Sequence, residues 1–245
     1  MLKRAALTLW HALTGTFRRG FAALLLAPLT VALVVIPEFA QHVVEIQGGM
    51  FDSRAAGHAF ANDPQRWAFG YVKLTGLALA FLATARFWWT RENGGRWWRL
   101  DEIAWDRFIP GLLLFLGLPA PVALLDGRID PVLFETAKWT VTLLTLPFVF
   151  LTLAGLFGDR TISIRGMVTR SWPWLPLLIV LLVAAFAPPQ LLHGLLHKWS
   201  IGQPKALVWA LMTLDSLVVG LLASLTGAAF HAGYSAMAAR LRIES

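Results

Sequence analysis

The sequence contains no cysteine, which removes disulfide staples, thiolate metal ligands and cysteine nucleophiles. Charge is scarce as well. Asp, Glu, Lys and Arg make up 14% of the 245 residues, against about 25% in a soluble globular domain. Acidic groups are the rarer sign, 14 against 21 basic ones, so any carboxylate inside an apolar stretch stands out. There is no Gly-rich phosphate loop, G-x-S-x-G elbow or H-E-x-x-H pair. A P-loop ATPase, a kinase, a serine hydrolase of that type and a zinc protease of that type therefore have no support.

What is abundant is apolar: 57% of the residues are hydrophobic and the mean hydropathy is +0.63. That is too apolar for a disordered chain and too poor in charge for a water-soluble one, and it points to an integral membrane protein. A helix needs about 20 mostly apolar residues to cross roughly 30 Å of hydrocarbon. Six such runs are bounded by charge, glycine or proline, at residues 21–40, 67–89, 108–125, 132–157, 172–192 and 207–229. The third is the shortest and is interrupted by Pro119 and Pro121, which predicts an irregular end. The expected fold class is all-α, a single-domain bundle of six transmembrane helices. The first run follows a basic lead of about twenty residues and ends in Pro37-Glu38-Phe39-Ala40 rather than a small-residue cleavage site, so it reads as an uncleaved span.

Cytoplasmic segments retain Lys and Arg during insertion. With both termini inside, the inner face collects Lys3, Arg4, Arg18, Arg19, Arg86, Arg91, Arg96, Arg99, Arg107, Arg160, Arg165, Arg170, Arg240 and Arg242. The outer face holds Arg54, Arg66, Lys73, Arg128, Lys138, Lys198 and Lys205, half as many. Several of the 12 tryptophans fall at span ends, where amphipathic rings sit at the headgroups. The sequence thus predicts cytoplasmic N- and C-termini, and its Arg over Lys bias and Ala/Leu richness suit a bacterial inner membrane.

A basic stretch that can form an amphipathic elbow precedes each outward span. In residues 1–19, Leu2, Ala6, Leu9, Leu13 and Phe17 recur at steps of three or four, the pattern of an interfacial helix. Residues 96–108 and 161–172 repeat the pattern less clearly. Lys73, Lys138 and Lys205 stand at similar intervals near the starts of the return spans, which suggests three copies of one helical hairpin. An ordinary run of hairpins also places lysines at span ends. Arg18, Arg19, Arg96 and Arg99 are assigned to anionic lipid headgroups, to which each basic residue contributes about 1 kcal/mol near the surface. For Arg96-Trp97-Trp98-Arg99 this reading is preferred to nucleic-acid binding, and no nucleic-acid partner is expected.

Two constellations bear chemistry. Asp215 is the one acidic residue well inside a span, roughly 12 Å below its outer boundary at about 1.5 Å per residue. A carboxylate at that depth needs a partner or a wet cavity; Lys73 and Lys138 are the candidate partners, with Thr140, Thr142 and Thr213 as hydrogen-bond donors. Glu38, His42 and Glu45 fall at i, i+4 and i+7, and His193 and His197 at i and i+4, so each set lines one helix face. These groups are placed at an outer rim, where Glu38, His42, His193 and His197 form a candidate divalent-metal set, with His58 as an additional ligand from the loop at 41–66. That loop reads as a connector or as a lid over the bundle mouth.

Three functional classes remain open. One is a protein that translocates or accommodates an ion, lipid or small solute around Asp215. Another is a non-catalytic subunit or assembly factor that binds other membrane subunits. The third is a metal-dependent membrane enzyme using the outer His/Glu set. The first carries the most weight, and a non-enzyme is favoured.

Overall fold

The structure, a computed structural model, describes residues 2–243, with side chains from Leu7 onward. Lys3, Arg4, Leu2 and Ala6 therefore lie outside the described side chains. The described chain is all-α, 83% helical, with no strand. Its helices are α1 (Leu2–Leu26), α2 (Pro28–Gln47), α3 (Arg54–Phe60), α4 (Pro64–Asn93), α5 (Trp105–Leu112), α6 (Ala120–Ala123), α7 (Pro131–Thr145), α8 (Phe148–Phe157), α9 (Ile164–Arg170), α10 (Leu175–Ser200) and α11 (Lys205–Ile243). Among the described residues six segments are long and apolar enough to cross a membrane: Pro28–Gln47, Pro64–Asn93, Trp105–Ala123, Pro131–Phe157, Trp172–Ser200 and Lys205–Ile243. The protein is polytopic by this criterion.

Several boundaries differ from the sequence reading, the last span among them, whose helix continues past Ala229 to Ile243. The first membrane-length helix is Pro28–Gln47, not 21–40, because Ala27 leaves helical geometry (φ −136°, ψ 51°) and Pro28 opens a new helix. Proline suits that first position, where its missing N–H costs nothing, and hydropathy does not register a break among apolar residues. The fifth segment runs on to Ser200, with Pro188 and Pro189 inside α10, since the turn is made later, at Gly202 (φ 73°). The elbow expected over 96–108 is mostly not helical. Gly94 and Gly95 adopt positive φ, and only a 3-10 turn at Leu100–Glu102 precedes α5. The leading elbow is helical, with Leu9, Leu13 and Phe17 half-buried and Trp10, His11 and Arg18 exposed.

The chain divides into two compact units, one of Met1–Trp88 with Val180–Ala229 and one of Trp89–Ile179 with Phe230–Ser245. In the first, α2, α4 and α11 supply an apolar layer of Val34, Ala80, Val219 and Ala223. A second layer comprises Ile46, Phe51, Leu196, Val208, Met212 and Val218. Lipid tails are as apolar as leucine, so close backbone approach through small residues matters more here than in water. Gly76 on α4 lies against the Leu33 carbonyl of α2, where a Cβ would collide. Pro37 cannot donate to that carbonyl four residues back, so α2 is locally open where α4 comes alongside. Thr84 donates to Thr30 across the same pair at 3.1 Å.

In the second unit α5 packs on α8 through two glycines. An added Cβ on Gly111 would lie 2.6 Å from the Thr152 nitrogen, and one on Gly155 would meet the Phe108 backbone. The expected irregularity of the third segment is present as a π-helical turn at Leu113–Gly117 ahead of Pro119. Beyond α8, Trp89 stacks on Phe157 with centroids 4.8 Å apart, and Tyr234 meets both rings edge-on. Buried Arg107 donates to the carbonyls of Asp159 and Ile162 at 2.9 and 2.8 Å. Burial alone would raise the Asp159 carboxyl. Thr161, the Tyr234 hydroxyl and the Arg242 charge outweigh it and hold the group below the ordinary carboxylate range.

Candidate metal centre

α2 continues through Pro37 to Gln47, so Glu38, His42 and Glu45 share one face as their spacing predicts. The face they occupy is not a wet rim. Glu38, His42 and Glu45 are 0% exposed, as is Asp215 on α11. Along α2 these polar groups fall between Val34 and Ile46, and along α11 Asp215 falls between Met212 and Val219, so the cluster sits between the two apolar layers of the first unit. His193 and His197 on α10 are the partly open members, with side chains 18% and 24% exposed.

The contacts converge on Asp215. His42 Nε2 lies 2.9 Å from Asp215 Oδ2 and 3.3 Å from Glu38 Oε1. His193 Nδ1 donates to both Asp215 oxygens, at 2.9 and 2.8 Å. His197 Nε2 approaches Asp215 Oδ2 to 3.3 Å without hydrogen-bonding geometry. Ligand atoms of Glu38, His42, His197 and Asp215 all lie within 4.8 Å of one another. Ligand atoms of a tetrahedral ion with bonds of about 2.1 Å are about 3.4 Å apart, so closing on an ion draws the most widely separated of these atoms together by up to roughly 1.4 Å.

Around these four stands a supporting ring. His42 Nδ1 donates to Glu45 Oε2 at 2.9 Å. Glu45 Oε1 in turn accepts from Gln41 Nε2 at 3.0 Å and Arg66 Nε at 2.9 Å. Lys73 Nζ donates to Glu38 Oε1 at 3.3 Å. The other Glu38 oxygen, Oε2, is buried with no hydrogen-bond partner, as is His197 Nε2. Unpaired buried polar atoms are costly and uncommon, and here two of them belong to one cluster of potential ligands. The Phe51 ring packs 5.7 Å from that of His197, covering it from the 41–66 segment.

The other residues singled out from sequence lie elsewhere. Lys138 pairs with Glu135 on its own helix and lies over the Phe134 and Trp139 rings, whereas Lys73 reaches Glu38, so two of the three evenly spaced lysines have unlike settings. Thr213 is exposed and bonds the Trp209 carbonyl, Thr140 and Thr142 lie on α7, and His58 is exposed on α3. Arg18 and Arg96 are exposed, Arg19 is half-buried, and Arg99 pairs with Asp101 and Glu102. In the second unit His231 Nε2 faces both Glu92 at 3.1 Å and Ser235 at 3.3 Å. A serine relay needs the carboxylate on the other ring nitrogen, so this trio is not one.

Arg66 and Gln41 were not legible as site residues, since nothing in the sequence signals that Arg66 returns from beyond a loop to Glu45. Comparison with known families, curated proteins and solved structures gives no match, so the reading of this site rests on its own geometry.

Proposed function

We propose that this polytopic membrane protein is built around a buried divalent transition-metal centre, with Glu38, His42, His197 and Asp215 as ligands and Asp215 at its focus. The observation that carries the reading is a four-residue set of ligand spacing in which Glu38 Oε2 is buried without a hydrogen bond and His197 Nε2 meets Asp215 Oδ2 only at 3.3 Å, outside hydrogen-bonding geometry. The supporting ring strengthens it. Metal-bound histidine characteristically donates its other N–H to a carboxylate, which is the role of Glu45 toward His42. Two imidazoles and two carboxylates suit zinc, iron, manganese, cobalt or nickel better than calcium or magnesium, which take oxygen ligands.

The centre accommodates the ion rather than conducting it. Past Glu38 and Asp215 the helices present Val34, Ala80, Val219 and Ala223, an apolar layer beside the mutually hydrogen-bonded Thr30 and Thr84. On the positive-inside reading the site opens toward the non-cytoplasmic side of a bacterial inner membrane, with the exposed arginines at the lipid headgroups of the other. Elemental analysis of protein purified in mild detergent tests the proposal. About one equivalent of a first-row metal is expected, and His42→Ala with His197→Ala should abolish it while the protein remains monodisperse. Failure of the wild type to carry or take up zinc, manganese or iron at near-stoichiometric level sinks it.

A further inference from the structure

On the metal-centre reading, the buried cluster carries a charge imbalance. Metal ligation uses neutral imidazole and ionised carboxylate. Glu38, Glu45 and Asp215 then carry three negative charges, and Arg66 and Lys73 return two positive ones. One negative charge is left to face a divalent cation, so the loaded centre is net positive inside an apolar unit. A buried uncompensated charge is unfavourable, and an anionic ligand on the metal removes it.

The direction from which such a ligand arrives follows from exposure. Glu38, His42 and Asp215 are closed off, while the side chains of His193 and His197 are 18% and 24% exposed. α10 also carries an open groove of about 450 Å³ lined by Phe186, Leu191 and Leu195, with Gln190, Gly194 and Lys198 along it. Gln190 precedes His193 by three residues and Gly194 precedes His197 by three, a spacing that makes side-chain positions surface neighbours on a helix. Neither histidine lines the groove, but its Gln190 and Gly194 stand about one helical turn from them. From Phe186 to Lys198 it runs about 18 Å at about 1.5 Å per residue, close to half of the ~30 Å hydrocarbon thickness and so to one leaflet's depth.

We propose that a metal held by Glu38, His42, His197 and Asp215 takes as a fifth ligand the phosphate headgroup of an anionic bilayer lipid, whose acyl chain lies in the α10 groove with Lys198 at its polar end. Free phosphate satisfies the charge but has no use for an apolar groove, whereas a phosphate-bearing lipid matches both features. The binding partner is thus a membrane component that enters laterally between His193 and His197.

The test uses full-length protein loaded with Mn2+ in phosphatidylcholine nanodiscs, with and without phosphatidic acid. Its readouts are the Mn2+ paramagnetic resonance spectrum and the lipid retained by native mass spectrometry. Phosphatidic acid should alter the spectrum and be retained at about one molecule per chain. A Cβ on Gly194 meets open space, so Gly194→Trp fills the groove without disturbing the helix. That variant should keep the metal and lose lipid retention at least about tenfold through steric exclusion. Lys198→Ala should weaken retention a few-fold, as expected of a rim charge. A metal-loaded wild type whose spectrum ignores phosphatidic acid overturns the lipid proposal while leaving the metal centre standing. So does inorganic phosphate that matches phosphatidic acid in both wild type and Gly194→Trp. Absence of bound metal in the wild type overturns both readings.

Discussion

Glu45→Gln changes one charge and almost no volume, and it separates a metal centre from a simple ionic tie between helices. Glu45 is outside the four-residue ligand set but accepts from His42, Gln41 and Arg66 at 2.9, 3.0 and 2.9 Å. A glutamine keeps one acceptor oxygen and turns an NH2 group toward donors, which costs roughly 1–3 kcal/mol for a buried unmatched group. Loss of such an outer-shell partner typically weakens metal binding about 10–100-fold. Free metal at a hundred times the wild-type Kd stabilises the fold by about 2.7 kcal/mol. At the same concentration the variant should retain only about 0.4–1.4 kcal/mol of that effect. Thermal unfolding in detergent with and without metal, paired with competition against a fluorescent chelator, measures both quantities. An unchanged metal affinity in a variant that has lost stability without metal would show that Glu45 is a structural tie between helices and not an outer-shell partner of a metal.

Two further outcomes follow from the second unit. Gly155→Val should destabilise it by at least about 1–3 kcal/mol, because the side chain meets the Phe108 backbone rather than a movable group; a thermal shift equal to wild type would contradict the close α5–α8 packing. The Asp159 carboxyl is held low in the folded state, so its contribution is present above its unfolded pKa of about 3.9 and is lost as pH falls through the lower folded value. Stability should therefore drop in acid below about pH 4, and Asp159→Asn should flatten that limb; an unaltered acid profile in the variant would refute the assignment.

Much of the fold was legible because membrane crossing is a property of composition. Roughly 20 apolar residues must occur together wherever a helix spans hydrocarbon, and six such segments are present. Hydropathy missed the break at Ala27–Pro28 because the residues on both sides are equally apolar. It also stopped α10 at Leu192, because His193, His197 and Lys198 end the apolar run there, whereas the helix continues to Ser200. The helix periodicity placed Glu38, His42 and Glu45 on one face and paired His193 with His197. That periodicity says nothing of what a face looks at.

The chain's order of residues was enough to establish an all-α polytopic protein, the local histidine and carboxylate spacings, and the isolation of Asp215 in an apolar helix. Only the folded arrangement decided that Asp215 meets His42 and His193 rather than Lys138, that Arg66 returns to Glu45, and that the supposed outer rim is a buried cluster. Spacing along a helix is set by a 3.6-residue turn that any reader of the sequence can count. Which helices lie side by side is set by small-residue contacts such as Gly76 on Leu33, between positions too far apart in the chain for any periodicity to connect.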